Sequence, residues 1–320
     1  MTPFAALLDL PCRLRHPALR DLAWALVSPP LLADDGHQRH PLAASEWAMR
    51  PQRLADWLFG LERAPAPLEA WLGGGRPRLG HYYERLWAFA LTRAPGIRWR
   101  DANLAIRAEG HTLGELDVLF EDDEGLHHLE LAVKFYLGVP GARPGEAWIG
   151  PDRRDRLDLK RARLLTHQLP LSARPDTLAL LARRGLGAPR AHYWMGGYLF
   201  HPVGSSLSVP PEVNATHLRG RWVRHADWPA LRAATLEAPG RWVELIRLAW
   251  LSPARTDSVP DEGLGDRFVA TALLDAPPER PKLLARLVPT GRDEWREAER
   301  LFLVGDDWPG LPEPNAGPSG

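Results

Sequence analysis

Two short runs hold the residues best suited to chemistry. GELDVLF (114–120) carries Glu115 and Asp117, and HHLELAVKFYL (127–137) carries Glu130 and Lys134. Both runs have the apolar density of buried strands, where a carboxylate or an ammonium costs desolvation energy unless it is paired or binds an ion. Side chains alternate across a strand, so Leu129, Leu131, Val133, Phe135 and Leu137 share one face and Glu130, Ala132, Lys134 and Tyr136 the other. Glu115 and Asp117 share a face of the first run in the same way. If the runs pair as a hairpin, carboxylates and a lysine lie side by side, a set that suits a divalent cation and phosphodiester cleavage. The same alternation also describes a half-exposed antiparallel sheet with a Glu–Lys pair on its wet face.

The neighbouring segments must position these groups. LGHYYERLWAFALTRA (79–94) reads as a buried helix with Glu84 embedded in it, and ANLAIRAEG (102–110) as a first strand. The acidic turn EDDEG (121–125) separates the second and third strands. DRRDRLDLKRARLLTHQL (152–169) predicts a helix with Asp152 as N-cap, and its stripe Leu157, Lys160, Leu164 and Gln168 should face the sheet. That segment also carries Arg153, Arg154, Arg156, Lys160, Arg161 and Arg163 against three aspartates. Such an excess can hold a phosphate backbone, or it can form an ordinary solvated helix face laced with ion pairs. WMGGYLF (194–200) reads as a fourth strand, giving the order helix, three strands, helix, strand.

Outside this middle region, 1–75 reads as helices punctuated by proline and glycine. HPALRDLAWALVSPP (16–30) and SEWAMRPQRLADWLFGLE (45–62) are the main ones, the second broken or restarted at Pro51, and LGGGRPR (72–78) is a linker. Beyond residue 205, RWVELIRLAWL (241–251) has helical spacing, while FVATALL (268–274), KLLARLV (282–288) and ERLFLV (299–304) suit short strands. The expected division is a helical region 1–75, a core 76–204, an α+β extension 205–307 and a disordered tail 308–320.

Composition is that of a globular chain: 45% hydrophobic and 25% charged residues over 320 positions. The formal net charge is zero, so no global basic field announces a nucleic acid, although local patches can still bind one. A single cysteine, Cys12, excludes an internal disulfide framework, and no apolar run is long enough to span a bilayer, so a cytoplasmic location is expected. Only Lys134, Lys160 and Lys282 are lysines among 40 basic residues. A lysine kept against that arginine bias points to a need for a compact, titratable ammonium.

The segments LGHYYERL, TLGELDVLF, HLELAVKFYLG, WIGPDRRDRLDLK and MGGYLF together resemble the PD-(D/E)XK nucleases. More narrowly they resemble the bacterial family DUF1853, placed in that superfamily. The resemblance is clear over roughly 79–201 and fainter around ERLFLVGDDWP (299–309). It implies a restriction-endonuclease-like αβββαβ core with a mixed sheet, between a helical N-terminal region and a small α+β C-terminal region. It further implies a Mg²⁺- or Mn²⁺-dependent nuclease acting on DNA or RNA. Asp117 would be the main metal ligand, Glu130 the second and Glu115 an extra carboxylate, while Lys134 would position water and offset developing charge. Glu84 would assist from the helix, and Gln168 or Lys160 would orient the site or contact phosphate; the charge excess itself, apart from the resemblance, suggests Arg153, Arg154 and Arg156 for the phosphate backbone. The family's acid and lysine stand two positions apart, about 6.6 Å along a strand; here they are four apart, about 13 Å, and Ala132 stands where the acid is expected. A degenerate site in a non-catalytic binding or assembly module is the alternative.

Histidines carry less weight. His37 and His40 are expected in an exposed loop, and of the adjacent pair His127 and His128 only one can approach the site.

Overall fold

The computed structural model describes residues 2–310 apart from 76, 144, 206, 236–239, 261–267 and 271–277. The N-terminal region is helical, as expected: α1 (Leu10–Arg13), α2 (Pro17–Val27), α3 (Glu46–Met49), α4 (Pro51–Arg63) and α5 (Ala66–Leu72). Pro51 starts a fresh helix, because its missing N–H falls where a first turn has no acceptor in any case. The expected order helix, three strands, helix, strand then appears as α6 (Leu79–Leu91), β1 (Arg98–Ala108), β2 (His111–Asp122), β3 (Gly125–Gly138), α7 (Leu157–Arg163) and β5 (Arg190–Pro202). A two-residue β4 (Trp148–Ile149) precedes α7, and α8 (Leu169–Leu171) and α9 (Pro175–Arg183) follow it. Glu109 and Gly110 close the β1–β2 hairpin with positive φ at both positions, the backbone that two-residue hairpin turns require.

The C-terminal part continues the same sheet through β6 (Leu218–Arg224), β7 (Arg241–Leu245), β8 (Arg255–Thr256), β9 (Phe268–Ala270), β10 (Lys282–Pro289) and β11 (Trp295–Val304), with α10 (Trp228–Ala234) after β6. One 11-stranded mixed sheet results, in the order β1-β2-β3-β5-β6-β11-β10-β7-β9, with β4 on β3 and β8 on β11. Pairing is parallel for β3–β5, β5–β6 and β6–β11 and antiparallel elsewhere. One sheet face packs on α2, α4 and α6 around Trp24, Trp87, Leu131 and Phe135. The other lies under α7 and α8, around Tyr136, Leu157, Leu164 and Met195.

Three expectations need correction. The helix predicted over 152–169 starts only at Leu157, because Arg156 is still extended and bridges Ile149; Asp152 is no N-cap and lies in the turn before it. After α7 the chain widens into a π-turn, Leu164–Gln168. The stretch 241–251 is no helix. Its first half becomes β7, which finds the edge of β10 (Val243 opposite Ala285), and a 3₁₀ turn follows at Arg247–Ala249. Tertiary pairing overrides the helical spacing there. The tail expected from 308 leaves out Trp308, which is buried against Trp222 and donates to the Pro151 carbonyl at 3.2 Å. Residues 311–320 lie outside the described residues, as do 271–274 of the strand expected over 268–274, of which 268–270 form β9.

Candidate active site

β2 and β3 pair only from Val118–Leu129 to Asp122–Gly125; below that they part, and β3 keeps β5 on its other side until the two-residue β4 meets it at Leu137 and Gly138. At the point of parting the β3 edge has backbone donors with no strand to meet them. Asp117 takes one of these: its Oδ2 accepts from the Leu131 N–H at 3.2 Å. Extending the register by one step sets Asp117 opposite Glu130, so the two acids share the sheet face that α7 covers. Oδ1 of Asp117 has no hydrogen-bond partner among the described residues.

Glu130 is almost wholly buried and bonded at both oxygens. Oε1 meets His128 Nε2 at 3.1 Å, and Oε2 accepts from the Gln168 amide. Gln168 Oε1 in turn accepts from the Lys160 ammonium at 2.8 Å. The expected stripe therefore does face the sheet, and the π-turn between Lys160 and Gln168 brings both ends of it to one carboxylate. Glu84 reaches the same region from α6, half-buried, with His81 Nδ1 3.5 Å away.

Electrostatically these acids form one unit. Burial, then the charge of Glu130, pushes the Asp117 carboxyl up to about 8; Glu84 adds to the rise, while the Leu131 N–H and Lys160 oppose it. Burial also raises Glu84, with His81 opposing and Glu130 reinforcing. Lys160 is lowered by burial and by Lys134, with Glu130, Asp117 and Asp155 opposing.

Other expected members lie apart. Lys134 shares the face of Glu130, but its ammonium donates to Asp155, which also accepts from the Tyr136 hydroxyl at 3.2 Å. A four-residue separation leaves Lys134 about 13 Å down the strand, nearer the loop before α7 than the carboxylates. Glu115 is exposed, and among the described residues no hydrogen bond or ion pair joins it to the cluster. Of the three arginines expected on phosphate, Arg156 is paired with Asp158 and Glu146, and Arg153 with Asp307, so their charge is already met. Arg154 is exposed.

Sequence reasoning gave little weight to His128 and none to Asp155. Period-two alternation does put His128 on the Glu130 face, whereas Asp155 comes from a loop that no periodicity marks. His40 is also corrected: it is buried among Phe4, Trp87 and Trp194 and bonded to the Leu26 carbonyl, a core residue rather than an exposed ligand. His127 turns to the opposite face, where Asp122, Glu124 and His127 are the one set of three potential ligands within 4.8 Å of each other among the described residues. Arg39 already bridges Asp122 and Glu124 there, so the charge of that set is met without an ion.

The donor chemistry at Asp117 suits a hard divalent cation: carboxylate oxygens, one of them free, in a place that disfavours their negative charge. Glu84, Asp117 and Glu130 are not gathered within 4.8 Å of one another, so one or two carboxylates would bind such an ion and water would complete its shell, the habit of Mg²⁺.

The family model described as a domain of unknown function, DUF1853, matches residues 20–304. The chain belongs to the DUF1853 family. That match spans the sheet from β1 to β11 and the helices on both its faces, so the helical N-terminal region and the C-terminal strands belong to the family unit along with the acidic site. No curated protein and no solved structure matches this DUF1853 chain.

Proposed function

We propose that this DUF1853 protein is a divalent-metal-dependent phosphodiesterase of the PD-(D/E)XK kind, hydrolysing DNA or RNA. One observation carries the reading. Glu84, Asp117 and Glu130, from three elements, interact electrostatically where β2 leaves β3, and burial, reinforced by the charges of Glu130 and Glu84, pushes the Asp117 carboxyl up to about 8. A buried surplus of like charge is costly, and a bound cation is the simplest group to relieve it. Asp117, through its free oxygen, and Glu130 would hold Mg²⁺ or Mn²⁺, which supplies Lewis-acid polarisation of a phosphoryl oxygen and an acidified water. Lys160, tied to Glu130 through Gln168, offsets negative charge developing on phosphate. Lys134 becomes available where a phosphate takes the place of Asp155.

A second reading, a non-catalytic binding or assembly module, rests on its own observations. Both oxygens of Glu130 are engaged by protein groups, Lys134 is neutralised by Asp155, and Ala132 occupies the usual acid position. Incubation of purified protein with single- and double-stranded DNA and RNA under a Mg²⁺ or Mn²⁺ titration separates the two. Asp117→Ala should abolish metal-dependent cleavage, and Lys160→Met should slow it by about 10²–10³. Equal residual cleavage by wild type and both variants would end the enzymatic reading.

A further inference from the structure

A cavity of about 1560 Å³ opens beside the unpaired edge of β3 and has Lys134 and Asp155 in its wall. It does not contain Asp117 or Glu130; these lie further up the same strand, so the cavity flanks the carboxylates. A second cavity of about 940 Å³ adjoins it and shares Pro151, Asp152, Arg247 and Trp250 with it. Joined at these residues, the two make one continuous track, larger than the 300–1,000 Å³ or so that encloses a small molecule.

The side chains along the track have three characters, apolar, cationic and acidic, the last supplied by Asp152, Asp155, Glu279, Asp306 and Asp307. Leu79, Tyr82, Ile246, Leu248 and Trp250 give it apolar walls. Four arginines on it, Arg78, Arg247, Arg154 and Arg280, have no ion-pair partner among the described residues. Arg247 is exposed and lies over the Trp250 ring at 4.7 Å. The sequence pointed to Arg153, Arg154 and Arg156; of these the fold pairs Arg153 with Asp307 and Arg156 with Asp158, and places Arg154 on the track.

We propose that this track binds the backbone of a single-stranded polynucleotide and leads it to Lys134, with Arg78 and Arg247 as its principal phosphate contacts. The inference rests on the phosphodiesterase reading for its direction but not for its binding. Lys134 is only about a quarter exposed, in a cavity wall that also takes residues from α6, the turn at 150–152 and the segment 246–250. A phosphodiester must enter the cavity to reach it. A strand with unpaired bases can do so, laying base faces against the apolar walls while arginines meet the phosphates. A continuous duplex holds its phosphates on a broad cylinder and meets only the rim.

Fluorescence anisotropy with a labelled single-stranded oligonucleotide, in EDTA so that nothing is cleaved, tests the proposal. Arg78→Ser/Arg247→Ser should bind at least about tenfold more weakly at low salt, and its plot of log affinity against log salt should be shallower by about 1.4, two phosphate contacts at about 0.7 each. Both residues are exposed, and an unchanged melting temperature shows the variant to be folded. Affinity and slope equal to wild type would overturn the proposal, as would absence of binding by wild type or equal binding of a duplex through the same two residues. The two readings fail separately. Cleavage by wild type with unaltered binding by the double variant removes the track alone. Arginine-dependent binding without metal-dependent cleavage leaves the track and removes the nuclease.

Discussion

At Asp117 the energetic sign can be worked out. Its carboxyl is raised from the ordinary range near ~4 to about 8, so between those values the folded chain keeps a proton that the unfolded chain has lost. Stability must fall as pH rises through that window. Asp117→Asn removes the slope, and its melting temperature should therefore exceed that of wild type by more at pH ~8 than at pH ~5. Divalent cation should act in the same direction, raising the wild-type melting temperature more at the higher pH, where it displaces less proton, and having little effect on Asp117→Asn. Failure of added Mg²⁺ or Mn²⁺ to shift melting at either pH would count against an ion at Asp117. Between the lysines, Lys160 stands closer to the carboxylates through Gln168, and Lys134 is held by Asp155. Single-turnover rates should fall by about 10²–10³ in Lys160→Met and by less in Lys134→Met; the reverse order would restore Lys134 to the central role.

The site depends on elements that set strand ends rather than on side chains alone. Parting of β2 from β3 exposes the Leu131 N–H, and that vacancy is what Asp117 fills. On its other side β3 is held against β5, where Gly197 (φ +144°) lies so close to the Lys134 backbone that a Cβ would overlap its carbonyl. Gly197→Ala therefore costs on the order of 3 kcal/mol, combining strain with a lost strand contact, and denaturant unfolding measures it. Little of this was legible beforehand. WMGGYLF was readable as a strand, but its paired glycines give no hint of which partner comes close. The widening of the α7 helix into a π-turn was equally hidden, because the i, i+3, i+7, i+11 stripe works for a uniform helix as well as for the one that forms.

Over the whole molecule, buried polar links tie the N-terminal helices and the C-terminal strands to the middle of the sheet. Asp21 on α2 accepts from the Tyr82 hydroxyl of α6 and from Ser252, and Tyr198 on β5 accepts from Trp24 and donates to the Leu251 carbonyl. Arg300 on β11 is buried against Glu297, the carbonyls of Trp250 and Ser252 and the Tyr198 ring. A buried ion pair loses heavily when one member is removed, so Glu297→Ala should cost about 3–5 kcal/mol in chemical unfolding and lower the cooperativity between the two ends of the sheet. A loss within experimental error would mean that the C-terminal strands are not held by this link. No helix among the described residues is long and apolar enough to cross a membrane.

The sequence by itself determined the strand pair, the shared face of Asp117, Glu130 and Lys134, the embedded Glu84 and the stripe that turns Lys160 and Gln168 inward. All of these follow from periods of 2 and 3.6, which are local properties of the chain. Only the tertiary structure decided which charges are free. It paired Lys134 with Asp155, Arg153 with Asp307 and Arg156 with Asp158, left Arg78 and Arg247 without an ion-pair partner among the described residues, and turned 241–245 into a strand. The partners of Lys134 and Arg153 come from a loop and from a residue 154 positions away, and no periodicity encodes such pairings.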